Sequence, residues 1–436
     1  MMLRSRALAR HIHLWLGLSV GLLFVLLGLT GSALVFYQEI DAALHPAIRV
    51  NMKAPAPGWD SPVWDRALAT LHRQWPDASG QWRFEATGET GPIAARYYPS
   101  VAPTSHMAKH MMVWLSPDGA HVLRHDGWGD YAMSWIYELH MNLLSGETGH
   151  QIIGWSGLVI LVLLGAGVIA WWPRGSWRKA LAFKSRAAPV RRLYDIHKLA
   201  GLWSLVLLIL FAITGFMLAL PKESNWLLER TIAPVDDTPS PKTVPRAGPT
   251  ITISKALAAG HRALPNARLA WIETPSSRTG MFGLRVQVPG DPSRRFPHSY
   301  IYIDPYSGAV HTVLDARKAS ASTTINNWLH PLHDASVGGL PTRLLAFIVG
   351  LVPAVLFITG LLRWRTHRAA PKSRPQITSD LTAKEHSSCV FVTPLSSPCL
   401  SSPSRPSPTN IERDMSPSTT PGHHKPRRDR ASAAGS

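Results

Sequence analysis

The chain has 436 residues, with 45 Lys and Arg against 27 Asp and Glu, for a formal net charge of +18. Its mean hydropathy is near zero, an average of strongly apolar stretches and polar ones. Only two cysteines occur, Cys389 and Cys399, which excludes a disulfide framework upstream of them and any iron–sulfur or zinc-thiolate site of the usual spacing.

Four stretches, residues 12–37, 152–172, 199–220 and 340–362, are long and apolar enough to cross a bilayer, which takes about 20 such residues. The first is longer than the apolar part of a secretory signal and no small-x-small cleavage site follows, so it reads as a retained helix. Arg4, Arg6 and Arg10 precede the first stretch. Arg174, Arg178, Lys179, Lys184, Arg186, Arg191 and Arg192 lie between the second and third, and Arg363, Arg365 and Arg368 follow the fourth. All fall on one side if the chain crosses four times with both termini in the cytoplasm. They account for the net charge without nucleic acid, for which no binding module is present.

In chain order the expected parts are a cytoplasmic start and first helix (1–38), a first outer loop (39–148) and a second helix (149–173). A basic linker (174–196), a third helix (197–220), a second outer loop (221–338), a fourth helix (339–363) and a basic, Pro/Ser-rich disordered tail (364–436) follow. In the first loop, 62–74 has helical spacing, and 81–86, 94–98 and 111–115 are strand-like, before a Ser-Pro-Asp-Gly turn. The second loop repeats the order, with a helix at 251–264 and strands at 267–273, 283–288, 299–304 and 309–314. The fold class is thus a membrane protein: a four-helix bundle from a parallel two-helix duplication, carrying two periplasmic α+β loop domains.

The duplication is marked by histidines. His13 opens one apolar stretch and His197 another, and a Thr-Gly pair follows each after 17 residues, Thr30-Gly31 and Thr214-Gly215. His140 and His333 precede the other two stretches; Gly167 and Gly360 lie 27 residues beyond them, each with a tryptophan four residues further on. Two histidines facing each other across a pseudo-twofold axis are what a haem iron needs as axial ligands, and two such pairs place one haem near each membrane face. Arg10, Arg191 and Arg192 lie near the first pair and suit haem propionates. His330 matches Tyr137 of the first copy and is an alternative ligand or a substrate contact. His106 and His110, with Met107, Met111 and Met112, have the i, i+4 spacing of a helical metal site, as do His121 and His125, but the residues that follow read as a strand. No dinucleotide fingerprint, Walker sequence or H-E-x-x-H occurs, so the electron donor is external, a membrane quinol or a cytoplasmic flavoprotein.

HLWLGL with its TG, LHMNLLSGETG leading into GLVILVLLGAGVIAWWPR, DIHKLAGLWS with its TG, and LHPLHDASVGG together resemble the PepSY-associated transmembrane-helix family of bacterial inner-membrane proteins. The stretch from ITISKALAAGHRALPNARLAWIETP to YIYIDPYSGAV resembles a PepSY domain, and the likeness covers about residues 5–368. Members include iron-regulated proteins and ferrisiderophore reductases with two b-type haems. The resemblance implies that His13, His197, His140 and His333 occupy haem-ligand positions, and that the protein reduces a ferric siderophore or another Fe(III) chelate in the periplasm. The contrasting reading is a PepSY-type regulatory or chaperone module, with the helices as anchor only.

Overall fold

Within a bilayer every backbone polar group must be satisfied inside its own segment, so apolar runs of this length fold as helices. The computed structural model describes residues 2–50, 55–100, 110–237 and 239–369. The first apolar run is not one helix but two, α1 (Met2–Ser19) and α2 (Gly21–Val35), bent by 59° at the break. Ser19 Oγ donates back to Trp15 O at 2.8 Å, a bond that bends helices. Gly21 follows, where the second copy has Leu205; a Cβ there would come within 2.9 Å of the Phe357 ring.

A short helix α3 (Tyr37–Leu44) leads to α4 (Val63–Gln74) and the first strands, β1 (Gln81–Glu85), β2 (Ile93–Tyr98), β3 (Met111–Leu115) and β4 (Val122–Gly127). The chain returns through α5 (Ala132–Asn142) to α6 (Gly146–Trp171). The linker holds α7 (Trp177–Leu181). The second half then runs α8 (Pro189–Ala219), α9 (Pro221–Thr231), α10 (Ile253–Ala263), β5 (Arg268–Glu273), β6 (Phe282–Gln287), β7 (Ser299–Ile303), β8 (Val310–Leu314), α11 (Ala321–His333) and α12 (Leu340–Ala369). Three unbroken helices, α6, α8 and α12, are long and apolar enough to cross a membrane, and the bent α1–α2 pair makes up to four crossings. Helix α12 continues past the expected end at 363; the tail beyond Ala369 lies outside the described residues.

The helices meet through small residues, which let backbones approach. α1 packs on α6, α2 on α12, and α8 on both. A Cβ on Gly28 would lie 2.4 Å from Gly350 O, and one on Gly157 would lie 3.1 Å from Ala212 O.

The two loops do not make two domains. Their strands form one eight-stranded sheet in the order β4-β3-β2-β1-β5-β6-β7-β8, antiparallel throughout. The seam is β1 against β5, where Arg83, Phe84 and Glu85 oppose Glu273, Ile272 and Trp271. One core serves both halves: Trp64, Leu71, Trp82 and Phe84 of the first half pack with Leu257, Ile272, Leu284 and Ile301 of the second, between the sheet and helices α4 and α10. Asp65 on α4 accepts from the backbone N–H of Ile253 at 2.6 Å and of Ser254 at 3.1 Å, capping α10 across the seam. The opposite face of the sheet turns toward the membrane helices: Met112 and Trp114 pack with Tyr37 of α3 and with Tyr131 and Met133 at the start of α5.

Candidate functional site

Each of the four duplicated histidines is held by the same device. On the linker side, His13 Nδ1 lies 3.0 Å from Leu163 O. His197 Nδ1 lies 3.0 Å from both Leu356 O and Thr359 Oγ1. On the sheet side, His140 Nδ1 lies 2.8 Å from Thr30 Oγ1 and His333 Nδ1 lies 2.9 Å from Thr214 Oγ1. Carbonyls only accept, so the Nδ1 atoms of His13 and His197 carry the proton. The threonine hydroxyls spend their own protons on Leu26 O at 2.7 Å and Leu210 O at 2.8 Å, so they too accept from Nδ1–H. All four rings are fixed in one tautomer, with the Nε2 lone pair bare.

The rings are then pinned against glycines. A Cβ on Gly31 would come within 3.2 Å of His140 Cε1, and one on Gly215 within 3.1 Å of His333 Cε1. The corresponding distances are 2.9 Å for Gly167 against His13 and 3.4 Å for Gly360 against His197. The repeated glycines of the sequence are therefore the seats of the repeated histidines, and the threonine of each Thr-Gly pair is the hydrogen-bond acceptor.

The rings come together in two pairs. The centres of His13 and His197 are 6.0 Å apart with planes at 88°, and those of His140 and His333 are 6.2 Å apart with planes at 48°. Two imidazoles on opposite sides of one metal, each bonded at about 2.0–2.1 Å, have ring centres about 6.3 Å apart. Spacing and tautomer fit a pair of axial ligands to a haem. Burial lowers the pKa of His140 to about 3 and of His333 to about 4, keeping both rings in the neutral form that ligates metals. Along the unbroken α8, His197 and the Thr214 that anchors His333 are 17 residues apart. That is about 25 Å of helix, close to the hydrocarbon thickness of about 30 Å.

The family described as PepSY-associated TM region matches residues 10–367. The chain belongs to this family. None of the curated proteins compared with it matches. The match spans both imidazole pairs, the bent helix and the whole sheet of this PepSY-associated protein.

Other candidates fall elsewhere. His330 is not in the sheet-side pair: its Nδ1 lies 3.2 Å from Asp334 Oδ2, and its ring stands edge-on to Phe296 at 5.5 Å. His333, one turn on, takes the place facing His140. His106 and Met107 lie outside the described residues. His110 is sandwiched between Tyr98 and Trp128, with ring centres 5.1 and 4.9 Å away, and His125 stands edge-on to Trp75. Among the described residues no group of three or more His, Cys, Asp or Glu is placed to hold a bare metal ion. Arg191 is engaged by Asp195 at 3.3 Å and lies over the Tyr194 ring. Thr359, which has Ala166 as its counterpart, and the carbonyls of Leu163 and Leu356 carry no sequence signal as acceptors. Thr30 and Thr214 do, through their repeated spacing.

Proposed function

We propose that His13 with His197, and His140 with His333, each hold one b-type haem. The protein is then an electron-transfer protein of the bacterial inner membrane that reduces ferric chelates, ferrisiderophores among them, on the periplasmic side in iron acquisition. The observation that supports this reading is the pairing of four imidazoles, two by two, at the spacing of shared axial ligation with every Nε2 bare. A haem held by two imidazoles supplies a one-electron couple with no open iron position. The chain's own part is to orient and to hold. The Nδ1–H bonds to Leu163 O, Leu356 O, Thr30 and Thr214 fix each ring and raise its basicity. The seats at Gly31, Gly167, Gly215 and Gly360 stop the rings from turning away. Both termini and the basic linker are assigned to the cytoplasm by the clustering of Arg and Lys there, which makes the sheet periplasmic. The donor is a quinol or a cytoplasmic redox protein.

The second reading is an anchored PepSY-type regulatory or chaperone module without redox activity. It needs only the apolar helices and the sheet, both described above, and no cofactor. The two readings part on one measurement, the reduced-minus-oxidised spectrum of the purified protein together with its haem content. Two b-type haems per chain are expected, falling to one in His140→Ala and in His333→Ala. A colourless protein from cells supplied with haem overturns the redox reading and leaves the anchored module.

A further inference from the structure

The face of the sheet turned away from α4 and α10 carries an arrangement that the fold alone does not explain. Arg96 on β2 stands directly opposite Arg83 on β1. Like charges directly opposed on neighbouring strands destabilise a sheet. Arg83 has a partner in Glu273, 3.6 Å away. Arg295, in the loop before β7, makes a two-pronged contact with Glu85 at 2.8 and 3.0 Å, and Arg285 donates to backbone carbonyls of Phe296 and Pro297. Arg96 differs: its guanidinium lies over the rings of Trp271 at 4.7 Å and Phe296 at 5.9 Å, and its Nε is buried with no hydrogen-bond partner. A buried guanidinium N–H left without an acceptor costs free energy, and stacking on an aromatic face does not supply the missing hydrogen bond.

The place is also solvent-reachable and near the sheet-side imidazoles. The Arg83 and Arg295 side chains are 36% and 34% exposed. Phe296, which Arg96 and Arg295 both approach, touches the His330 ring, one turn before His333 on α11. The acids nearby are engaged: Glu85 and Glu273 as above, Glu138 by Trp128 Nε1 and Asn142 Nδ2, both at 2.6 Å, and Asp334 by His330.

We infer that this face binds an anionic Fe(III) chelate bearing carboxylates, with Arg96, backed by the stacked pair of Trp271 and Phe296, as its charge-matching donor and Arg83 and Arg295 at its rim. The planar guanidinium fork fits a carboxylate, and an anion seated there offsets the opposed arginines. The inference rests on the acceptor reading above for the chelate's identity. It separates from that reading because binding is measured with a redox-inert metal.

The test is titration of the full-length protein in detergent with Ga(III) citrate at low salt. Saturable binding that weakens with added salt is expected. Arg96→Gln weakens it about ten- to a hundredfold, Arg96→Lys recovers part of the loss, and a cationic trihydroxamate complex of Ga(III) binds far less tightly than the citrate complex. Arg83→Gln, at the exposed rim, gives a smaller loss and guards against a misfolded Arg96 variant; thermal unfolding of each is followed alongside. Equal affinity in Arg96→Gln and the parent overturns the proposal, as does equal affinity for the anionic and cationic chelates. So does an Arg96→Gln protein that binds Ga(III) citrate normally but loses haem, since Arg96 then serves a propionate.

Discussion

On the sheet side, His140 and His333 donate to threonine hydroxyls at 2.8 and 2.9 Å, and their rings are inclined at 48°. On the linker side, His13 and His197 donate to backbone carbonyls at 3.0 Å, and their rings stand at 88°. A hydroxyl hangs from a side chain that one substitution removes; a carbonyl belongs to the helix and stays through any change of residue. The sheet-side rings also have a carbonyl behind the threonine, Leu27 O for His140 and Phe211 O for His333, and His197 has Leu356 O together with Thr359. The odd ring is therefore His13, which has Leu163 O and, in Ala166, no hydroxyl.

The largest effect that breaks the comparison is loss of a ring. His197→Ala is expected to leave only the sheet-side haem and His333→Ala only the linker-side haem, so the two single variants yield the two separate spectra and midpoint potentials of the parent. Next comes the seat of a ring. Valine at Gly167, where even a Cβ lies 2.9 Å from His13, costs about 1–3 kcal/mol of overpacking and lowers linker-side haem content. Valine at Gly165, where nothing lies within 4 Å, leaves both haems in place; equal losses in the two variants show that the seat does not matter. Smaller again is Thr30→Val or Thr214→Val, expected to weaken sheet-side haem retention by about 10- to 100-fold, read from the rate of transfer to an apo-haem acceptor, with the linker side unchanged. The smallest is Thr359→Val, a loss below about tenfold, because Leu356 O already accepts at the same 3.0 Å. A Thr359 effect as large as that of Thr30 removes the distinction between the two sides.

Much of this was readable in the residues. Apolar runs flanked by Arg gave the spans; 299–304 alternates plainly because one face lies on a shared core, whereas 111–115 is apolar throughout because both its faces are covered. The four histidines, with Thr30, Thr214, Gly167 and Gly360 at matching distances, stood out because a site built twice leaves its spacing twice. What escaped notice depends on distant partners. The bend at Val20 has a local mark in Ser19, but the close approach of Gly21 to Phe357, more than three hundred residues away in the chain, has none. The choice between His330 and His333 turns on which side of α11 faces Thr214, and a Pro331 between them hides the helix. The union of the loops depends on pairing Phe84 with Ile272, a register that nothing local to either strand announces. Arg96 reads on its own as an ordinary outward residue of a strand; only its neighbour across the sheet makes it unusual.

The β1–β5 seam has a mechanical consequence. With Asp65 capping α10 and Trp59 stacked on His261 at 5.0 Å, the halves are stitched outside the bilayer independently of the covalent connection between α6 and α8. That connection is largely exposed from 174 to 186. A chain severed there, its pieces made together in one cell, is expected to reassemble with its sheet-side histidines still opposed, the sheet serving as the yoke that the peptide bond no longer provides.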